Sequence, residues 1–127
     1  MIEAIFSQPA YAATKKLMDA TALRHEAIAS NIANIETPNY KRIDIAPSFQ
    51  TELRNAMGAK DVAKISSLAP GLVEDHTAVA ANRDGNTVQL ESELMKLNQN
   101  TLAHTLETQL VTGTLLKLRM AITGRAQ

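Results

Sequence analysis

Three histidines are the side chains best suited to chemistry in this chain, because an imidazole can bind a metal ion or carry a proton near neutral pH. His25 precedes Glu26, as in helical zinc sites, but such sites need a second histidine four residues after the first, where this chain has Ala29. His76 and His104 stand far apart in the sequence. The pattern favours solvated or structural histidines, so we expect no metal site and no cofactor.

Nucleophilic catalysis has equally little support. Ser66 and Ser67 have no base at a recognisable spacing, the chain has no cysteine, and it has no glycine-rich phosphate loop. Because a fold can assemble a catalytic triad from distant residues, this is only weak evidence against an enzyme. We nevertheless expect no enzymatic activity and no small-molecule substrate, since a chain with only 3% aromatic residues is poorly suited to form a concave polar pocket.

One basic pair, Lys41 and Arg42, follows Tyr40 and could bind a phosphate, although a solvated loop is the simpler interpretation. Thirteen basic and thirteen acidic residues give a formal net charge of zero, and neither sign forms a long block. The sequence therefore lacks the electrostatic signature of a nucleic-acid or anionic-lipid partner.

Two asparagines are the polar residues for which we expect a special role. Asn31 and Asn34 lie in a segment that is otherwise rich in alanine and isoleucine. Their side chains could hydrogen-bond the turn that follows, or a neighbouring subunit, and so fix a register. The simpler interpretation is a polar face in contact with solvent.

A long N-terminal helix carries these asparagines. Ser7 and Pro9 form a helix-start signal, in which a hydroxyl that can cap free amides precedes a proline in the first turn. Apolar residues then recur mostly at three- and four-residue spacing with alanine between them, as in an amphipathic helix. Pro38 disfavours helical geometry at the residue before it, so the helix should end near Glu36.

A second long helix is predicted from about residue 88 to residue 123, after the turn sequence Asp84-Gly85-Asn86. Asn86 and Gln89 resemble a capping box. One seam alternates steps of four and three, as in a coiled coil: Leu90, Leu94, Leu97, Thr101, His104, Thr108, Val111, Leu115, Leu118 and Ile122. A second stripe consists of Leu102, Leu106 and Leu110 at spacing four. Two faces of this kind require two sets of neighbours.

The segment between the helices, residues 37–87, holds three of the four prolines and three of the five glycines. A short helix is predicted over residues 47–57, where apolar residues repeat at spacing four: Phe49, Leu53 and Met57. Residues 58–87 have weak periodicity and predict a loop with a brief β-hairpin around Asp84-Gly85. A loop of this length is uncommon inside a compact domain and indicates a functional or partly disordered segment.

These elements predict one mainly α-helical domain over residues 1–127, with an N-terminal helix (1–36), a middle segment (37–87) and a C-terminal helix (88–127). The two helices would form a coiled-coil-like hairpin with spans of roughly 40 and 50 Å, which is long for a domain of this size. Such a hairpin buries one stripe of each helix and leaves the second C-terminal stripe for other subunits. The alternative is that the middle segment covers this stripe and gives a monomeric bundle.

Residues 30–42, SNIANIETPNYKR, resemble the signature near the N terminus of flagellar rod and hook axial proteins. The matching positions are Asn31, Ala33, Asn34, Thr37, Pro38, Tyr40 and Lys41. The family usually has glycine where this chain has Asn39, and asparagine is among the few other residues that tolerate a positive φ angle, so the turn should be kept. The resemblance covers nearly the whole chain and is greatest to the short proximal-rod type.

The resemblance implies a structural subunit of the proximal rod of the bacterial flagellar basal body, which polymerises through its terminal helices and helps to transmit torque across the periplasm. The implied partners are adjacent rod subunits, the protein at the junction of the MS ring and the rod, copies of the chain itself, and the flagellar type III export apparatus. Export would involve no cleaved signal peptide, since the first residues lack a basic start and a sustained apolar run.

The residues that we expect at contacts between subunits lie on apolar faces of both helices: Leu17, Ile28, Ile32, Leu94, Leu97, Leu102, Leu106, Val111, Leu115, Leu118 and Ile122. The alternative function is a soluble helical adaptor or chaperone-like binding module that works as a monomer or small oligomer. Presence in isolated basal bodies would separate the two functions.

Overall fold

The structure is a computed structural model that describes residue 4, residues 7–80 and residues 82–124. The elements with defined bounds are, in chain order, α1 (Pro9–Ala33), β1 (Ile43–Ile45), α2 (Pro47–Gly58), α3 (Val62–Ser67), β2 (Leu72–Glu74) and α4 (Leu90–Thr123). The prediction of a mainly helical fold with long terminal helices is confirmed. None of the helices within the described residues is both long enough and apolar enough to span a membrane.

The start of α1 has the predicted proline but not the predicted cap. Pro9 occupies the first turn, whereas Gln8 holds the N-cap position and makes no side-chain hydrogen bond to the helix. The Ser7 hydroxyl instead donates to the carbonyl of Ala4 (3.2 Å). The predicted capping role of Ser7 is therefore wrong.

The end of α1 comes at Ala33 and not near Glu36. The Asn34 side-chain amide donates to the carbonyl of Ser30 (2.8 Å), and the Thr37 backbone amide donates to the carbonyl of Asn34 (3.0 Å). These bonds turn the chain out of helical geometry before the proline that follows Thr37. That proline marks the turn after the helix and not the helix end.

The two long helices form an antiparallel hairpin. The Asn31 side chain donates to Glu93 near the start of α4, and the Thr21 hydroxyl donates to Glu107 further along it. Residues later in α1 thus contact residues earlier in α4, as expected for two antiparallel helices. With 25 and 34 residues, the helices are about 37 and 51 Å long.

The apolar core lies between α1 and the middle segment. Alanines in the first half of α1 allow β1, α2 and α3 to approach it closely. The buried core residues are Ala12, Ala13, Ile45, Phe49, Leu53, Ala56, Ile65 and Leu68. The helix predicted from the spacing of Phe49, Leu53 and Met57 is confirmed, with Phe49 and Leu53 buried and Met57 partly buried against the same core.

The prediction that residues 58–87 lack regular structure is wrong for α3. This helix begins after Asp61, whose carboxylate accepts a hydrogen bond from the backbone amide of Lys64 (3.0 Å) and so caps the first turn. Ile65 and Leu68 then enter the core. A cap followed by two apolar residues three apart was the available signal for this short helix.

The two strands pair antiparallel, with Ile43 opposite Glu74 and Ile45 opposite Leu72. The predicted β-hairpin around Asp84-Gly85 is therefore in the wrong place. Three-residue strands show almost no alternation of polar and apolar residues, so their pairing depends on contacts between distant segments that the sequence pattern does not contain.

Asp84 and Gly85 form a turn that packs against Asn39. Asn39 has a φ angle of 59°, as predicted, and its amide donates to the carbonyl of Asp84 (2.8 Å). Gly85 has a φ angle of 77°, and a Cβ atom there would lie 2.5 Å from the side-chain oxygen of Asn39. A side chain at position 85 would therefore strain the backbone and clash with Asn39.

Replacing Gly85 with alanine should lower the free energy of unfolding by about 1–2 kcal/mol, because alanine disfavours the left-handed region. Gly58→Ala is the matched control, since its Cβ would meet nothing within 4 Å. Urea unfolding of both variants measures the difference. Equal stabilities for Gly85→Ala and Gly58→Ala would contradict the strained turn.

Candidate functional site

Asn31 is buried and pairs with the backbone of Ile43. Its side-chain amide donates to the carbonyl of Ile43 (2.9 Å), and its side-chain oxygen accepts from the amide of Ile43 (3.0 Å). The side chain thus offers the same donor and acceptor that a neighbouring strand would offer at the start of β1. The amide also donates to Glu93 (3.2 Å). Asn31 therefore contacts the segment after α1 and not solvent.

Arg42 is buried at the centre of an ionic cluster. Its Nε donates to Glu93 (2.5 Å) and its Nη1 to Asp75 (2.6 Å). Its Nη2 donates to Asp44 (2.9 Å), which also accepts from Nε of Arg24 on α1 (2.9 Å). Two guanidinium groups thus face three carboxylates. The prediction of a phosphate site or a solvated loop is wrong for Arg42, because its guanidinium is already bound to carboxylates of its own chain.

For two members of this cluster, hydrogen bonds and charge pairing shift the pKa more than burial does. Desolvation by itself would lower the pKa of Arg42, but hydrogen bonds to Glu93 and Asp44 raise it above its usual value. Desolvation would likewise raise the pKa of Asp44, but a hydrogen bond from the Ile45 amide, followed by Arg42 and Arg24, lowers it. Both groups are therefore charged at neutral pH.

Asn86 closes the C-terminal end of α1 from a distant part of the chain. It is fully buried. Its side-chain amide donates, at 2.8 to 3.0 Å, to three carbonyls that follow the helix, those of Asn34, Ile35 and Thr37. Its side-chain oxygen accepts from the amide of Val88 (2.8 Å). One side chain thereby satisfies carbonyls that have no partner within the helix.

The predicted capping box at the start of α4 is wrong, because Asn86 is used at α1. The helix begins at Leu90, and Gln89 holds the N-cap position without a side-chain hydrogen bond. Glu91 and Glu93 lie in the first turn. Their negative charges suit the positive end of the helix dipole and take over part of the role of a cap.

Tyr40 and Lys41 attach the motif to the segment that follows the Asp84 turn. The Tyr40 hydroxyl donates to the side-chain oxygen of Asn31 (3.3 Å), and the Tyr40 carbonyl accepts from the amide of Thr87 (3.1 Å). The Lys41 ammonium donates to the carbonyl of Gly85 (2.8 Å). The exposed positions of the motif are Ala33, Thr37, Pro38, Asn39 and Lys41.

The seam between α1 and α4 is polar at three buried positions of α4: Glu93, Asn100 and Glu107. The Asn100 amide donates to the carbonyl of Thr21 (2.8 Å), while its side-chain oxygen is buried without a hydrogen-bond partner. The Thr21 hydroxyl can donate to Glu107 (2.9 Å) or to the Met18 carbonyl (3.0 Å), and it also lies 3.0 Å from Nδ1 of His104. Burial raises the pKa of Glu107, against the hydrogen bond from Thr21.

The predicted apolar seam of α4 does not form the centre of the face that contacts α1. Its half-buried members are Leu97, Val111 and Leu118. Its exposed members include Leu90, Leu94, Leu115 and Ile122. The three buried polar residues occupy the centre of the face that contacts α1, so the leucines are turned to its edges.

The interface residues predicted on α1 differ in their exposure. Leu17 is exposed and Ile32 is half-buried. Ile28 is buried inside the chain and offers no surface to a neighbour, so its prediction as an interface residue is wrong.

The second stripe of α4 is open to solvent. Leu102, Leu106 and Leu110 are exposed by 63%, 54% and 63% of their surfaces. The middle segment packs against α1 instead of covering them. The alternative prediction of a bundle closed by the middle segment is therefore wrong.

The histidines occupy three unrelated environments. His25 is exposed, His76 lies on the surface with Nδ1 3.6 Å from Glu74, and His104 bonds Thr21. Among residues 4, 7–80 and 82–124, no group of three or more histidine, aspartate or glutamate side chains is placed to hold a metal ion.

Comparison with known proteins agrees with the motif. Residues 18–41 match the family model described as flagella basal body rod protein. The flagellar basal body rod protein FlgB of Borreliella burgdorferi is 35% identical over 73% of this chain and 80% of its own length. FlgB of Aquifex aeolicus is 31% identical over 89% and 92%, and FlgB of Cereibacter sphaeroides is 34% identical over 80% and 84%.

Replacing Glu93 with leucine should lower the free energy of unfolding by about 3–5 kcal/mol, because Arg42 then stays buried without this partner. The double variant Glu93→Leu/Arg42→Met should lose less than the sum of the single variants, since it removes both charges. Urea unfolding of the full double-mutant cycle measures the coupling. Additive losses would show that the two residues do not act as a pair, and Arg54→Met at an exposed position of α2 serves as a surface control.

Asp44 should make the protein sensitive to acid. Its pKa in the folded chain lies below the unfolded value of about 3.9, so its stabilising effect is present above that pH and is lost as the pH falls through the lower folded pKa. Asp44→Asn should therefore be less stable than the parent at neutral pH, with a difference that shrinks below about pH 4. Urea unfolding across this range, with the exposed Asp19→Asn as control, tests this. A difference that does not change with pH would contradict it.

Proposed function

Since the chain belongs to the FlgB family of flagellar basal body rod proteins, we propose that it is a structural subunit of the proximal rod which polymerises through its terminal helices. The observation that carries the proposal is the uncovered leucine stripe of α4: Leu102, Leu106 and Leu110. A row of exposed leucines along one helix marks a surface for contact with another protein. Packing against neighbouring subunits would remove it from water.

The partners proposed for this surface are adjacent rod subunits, the protein at the junction of the MS ring and the rod, and copies of the chain itself. Leu94, Leu115 and Ile122 would extend the surface along α4, and Leu17 is the exposed interface residue proposed on α1. The half-buried residues of the proposed interface would contribute only their outer edges: Ile32, Leu97, Val111 and Leu118.

Export through the flagellar type III apparatus, without a cleaved signal peptide, and assembly in the periplasm complete the proposal. Two features of the chain suit passage in an unfolded state. Its apolar core is small and depends on alanines, and the seam between its long helices is polar. Contacts with neighbours would then add to the stability of the isolated chain.

A role in torque transmission is supported by the ionic cluster around Arg42. The cluster ties α1, β1, the segment after β2 and the start of α4 to one another. Such ties resist a change in the angle between the hairpin and the middle segment. The chain is thus suited to a structural role, and we propose no catalytic one.

Replacing Leu102 with aspartate should abolish rod assembly and swimming, because an unpaired charge would be buried between subunits. The stability of the isolated chain should change by no more than about 0.5 kcal/mol, since Leu102 is exposed. Gln50→Asp on α2 is the matched control, with the same added charge at another exposed helical position. Motility assays and isolation of basal bodies measure the outcome.

Normal rods that contain the Leu102→Asp chain would contradict the proposed interface. Absence of the parent chain from isolated basal bodies, together with its presence in soluble complexes, would instead favour the helical adaptor. The first result tests the interface with a variant, whereas the second tests the location of the unaltered chain, so each result contradicts a different part of the proposal.

A further inference from the structure

Asp84 and Gly85 are the only aspartate-glycine pair in the chain. A backbone amide attacks the side chain of a preceding aspartate most readily when it belongs to glycine, because glycine has no Cβ atom to hinder the approach. Asp84 is exposed, so water can reach it. The other aspartates are followed by residues that carry a side chain: Asp19, Asp44, Asp61 and Asp75.

The reaction open to this pair is isomerisation of aspartate to isoaspartate, which needs no reactant except water. The amide nitrogen of Gly85 bonds to the side-chain carboxyl carbon of Asp84, and a water molecule leaves as a succinimide ring closes. A water molecule then opens the ring. Attack at the side-chain carbonyl restores aspartate, whereas attack at the backbone carbonyl leaves the main chain running through the former side chain. No atom is gained or lost overall, and nothing is oxidised or reduced.

Isomerisation would exchange the roles of two groups of Asp84 that hold the turn. Its backbone carbonyl accepts from the amide of Asn39 (2.8 Å), and its side-chain carboxylate accepts from the amide of Asn86 (3.1 Å). In isoaspartate the first group becomes a free carboxylate, and the second becomes part of a main chain that is longer by one methylene. Asn86 would therefore be displaced relative to Asn39.

The folded turn opposes the attack because it restrains both reacting groups. The Gly85 amide donates to the carbonyl of Asn82 (3.3 Å), and the Gly85 carbonyl accepts from the ammonium of Lys41 (2.8 Å). The carboxylate of Asp84 is held by the backbone amide of Asn86, whose own side chain is fully buried. The carboxyl carbon can then reach the glycine nitrogen only when the turn opens locally.

We propose that Asp84 is a site of spontaneous isoaspartate formation, which the folded turn suppresses and the unfolded chain permits. Asn86 satisfies three carbonyls after α1, so a modified chain cannot close this end of the helix and is less stable. The modification therefore accumulates in chains that stay unfolded and prevents them from regaining the full fold. It depends on the turn alone and not on the proposed rod function.

The purified chain allows a direct comparison of the folded and unfolded states. Enzymatic methylation of the free carboxylate measures isoaspartate, and electron-transfer mass spectrometry locates it. In guanidinium chloride at neutral pH, isoaspartate should accumulate at Asp84 and much less at Asp61, where Val62 hinders the attack. Without denaturant the rate at Asp84 should fall by about tenfold or more, since the turn must open first. Equal rates in both states, or no isoaspartate at Asp84 in denaturant, would overturn the proposal.

A variant of Lys41 tests whether the turn provides the protection. Lys41→Met removes the bond to the Gly85 carbonyl without changing a reacting atom. Modification of the folded variant should be about two- to tenfold faster than in the parent, the effect of one lost hydrogen bond on opening, while the rates in denaturant stay equal. Lys64→Met, at an exposed position of α3, is the matched control and should behave as the parent. Equal rates for folded Lys41→Met and the parent would contradict protection by the turn.

The stability of the modified chain tests the consequence for Asn86. Chains modified in denaturant are separated from unmodified chains of the same sample by ion exchange, and both are refolded. The modified chains should unfold at a lower urea concentration, because the carbonyls after α1 have lost their partner. Equal unfolding midpoints would overturn this part of the proposal.

Discussion

The ion pair between Arg42 and Glu93 joins the two long helices through the turn that follows the first of them. Both side chains are buried, so removing either charge leaves the other buried without its main partner. Asn31 bonds Glu93 and the backbone of Ile43, which places the end of α1 against the same pair. The start of β1, the motif turn and the position of α4 all depend on this contact.

The chain separates its polar and apolar surfaces in an unusual way. The apolar core lies between α1 and the middle segment, and the seam between the long helices is held by Glu93, Asn100 and Glu107. Buried polar groups specify a register better than they stabilise a fold, because a shifted helix would leave them unpaired. The leucines of α4 are thereby left on the outside of the chain.

Local signals in the sequence identified much of the fold. The long helices follow from apolar periodicity, the positive φ angle of Asn39 from its residue type, and α2 from the spacing of Phe49 and Leu53. The motif likewise located Asn31. These features depend on residues close together in the chain, which is why a pattern could predict them.

The remaining features depend on partners far apart in the sequence. Asn86 resembled a cap for the helix after it, but it bonds the end of the helix more than 45 residues before it. Arg42 resembled a surface residue because two of its three carboxylate partners, Asp75 and Glu93, come from distant segments. The one available signal was the heptad spacing of Glu93, Asn100 and Glu107 beside an apolar stripe, which indicates a polar seam.

The separation of Arg42 and Glu93 by 51 residues also controls when the fold can be completed. Before residue 93 is available, Arg42 and Asn31 lack a main partner, and the carbonyls at the end of α1 lack Asn86. A chain released from its N-terminal end can therefore form its apolar core, which lies within residues 12–68, before the seam between the long helices is completed. The hairpin of the long helices is then the last part of the fold to close.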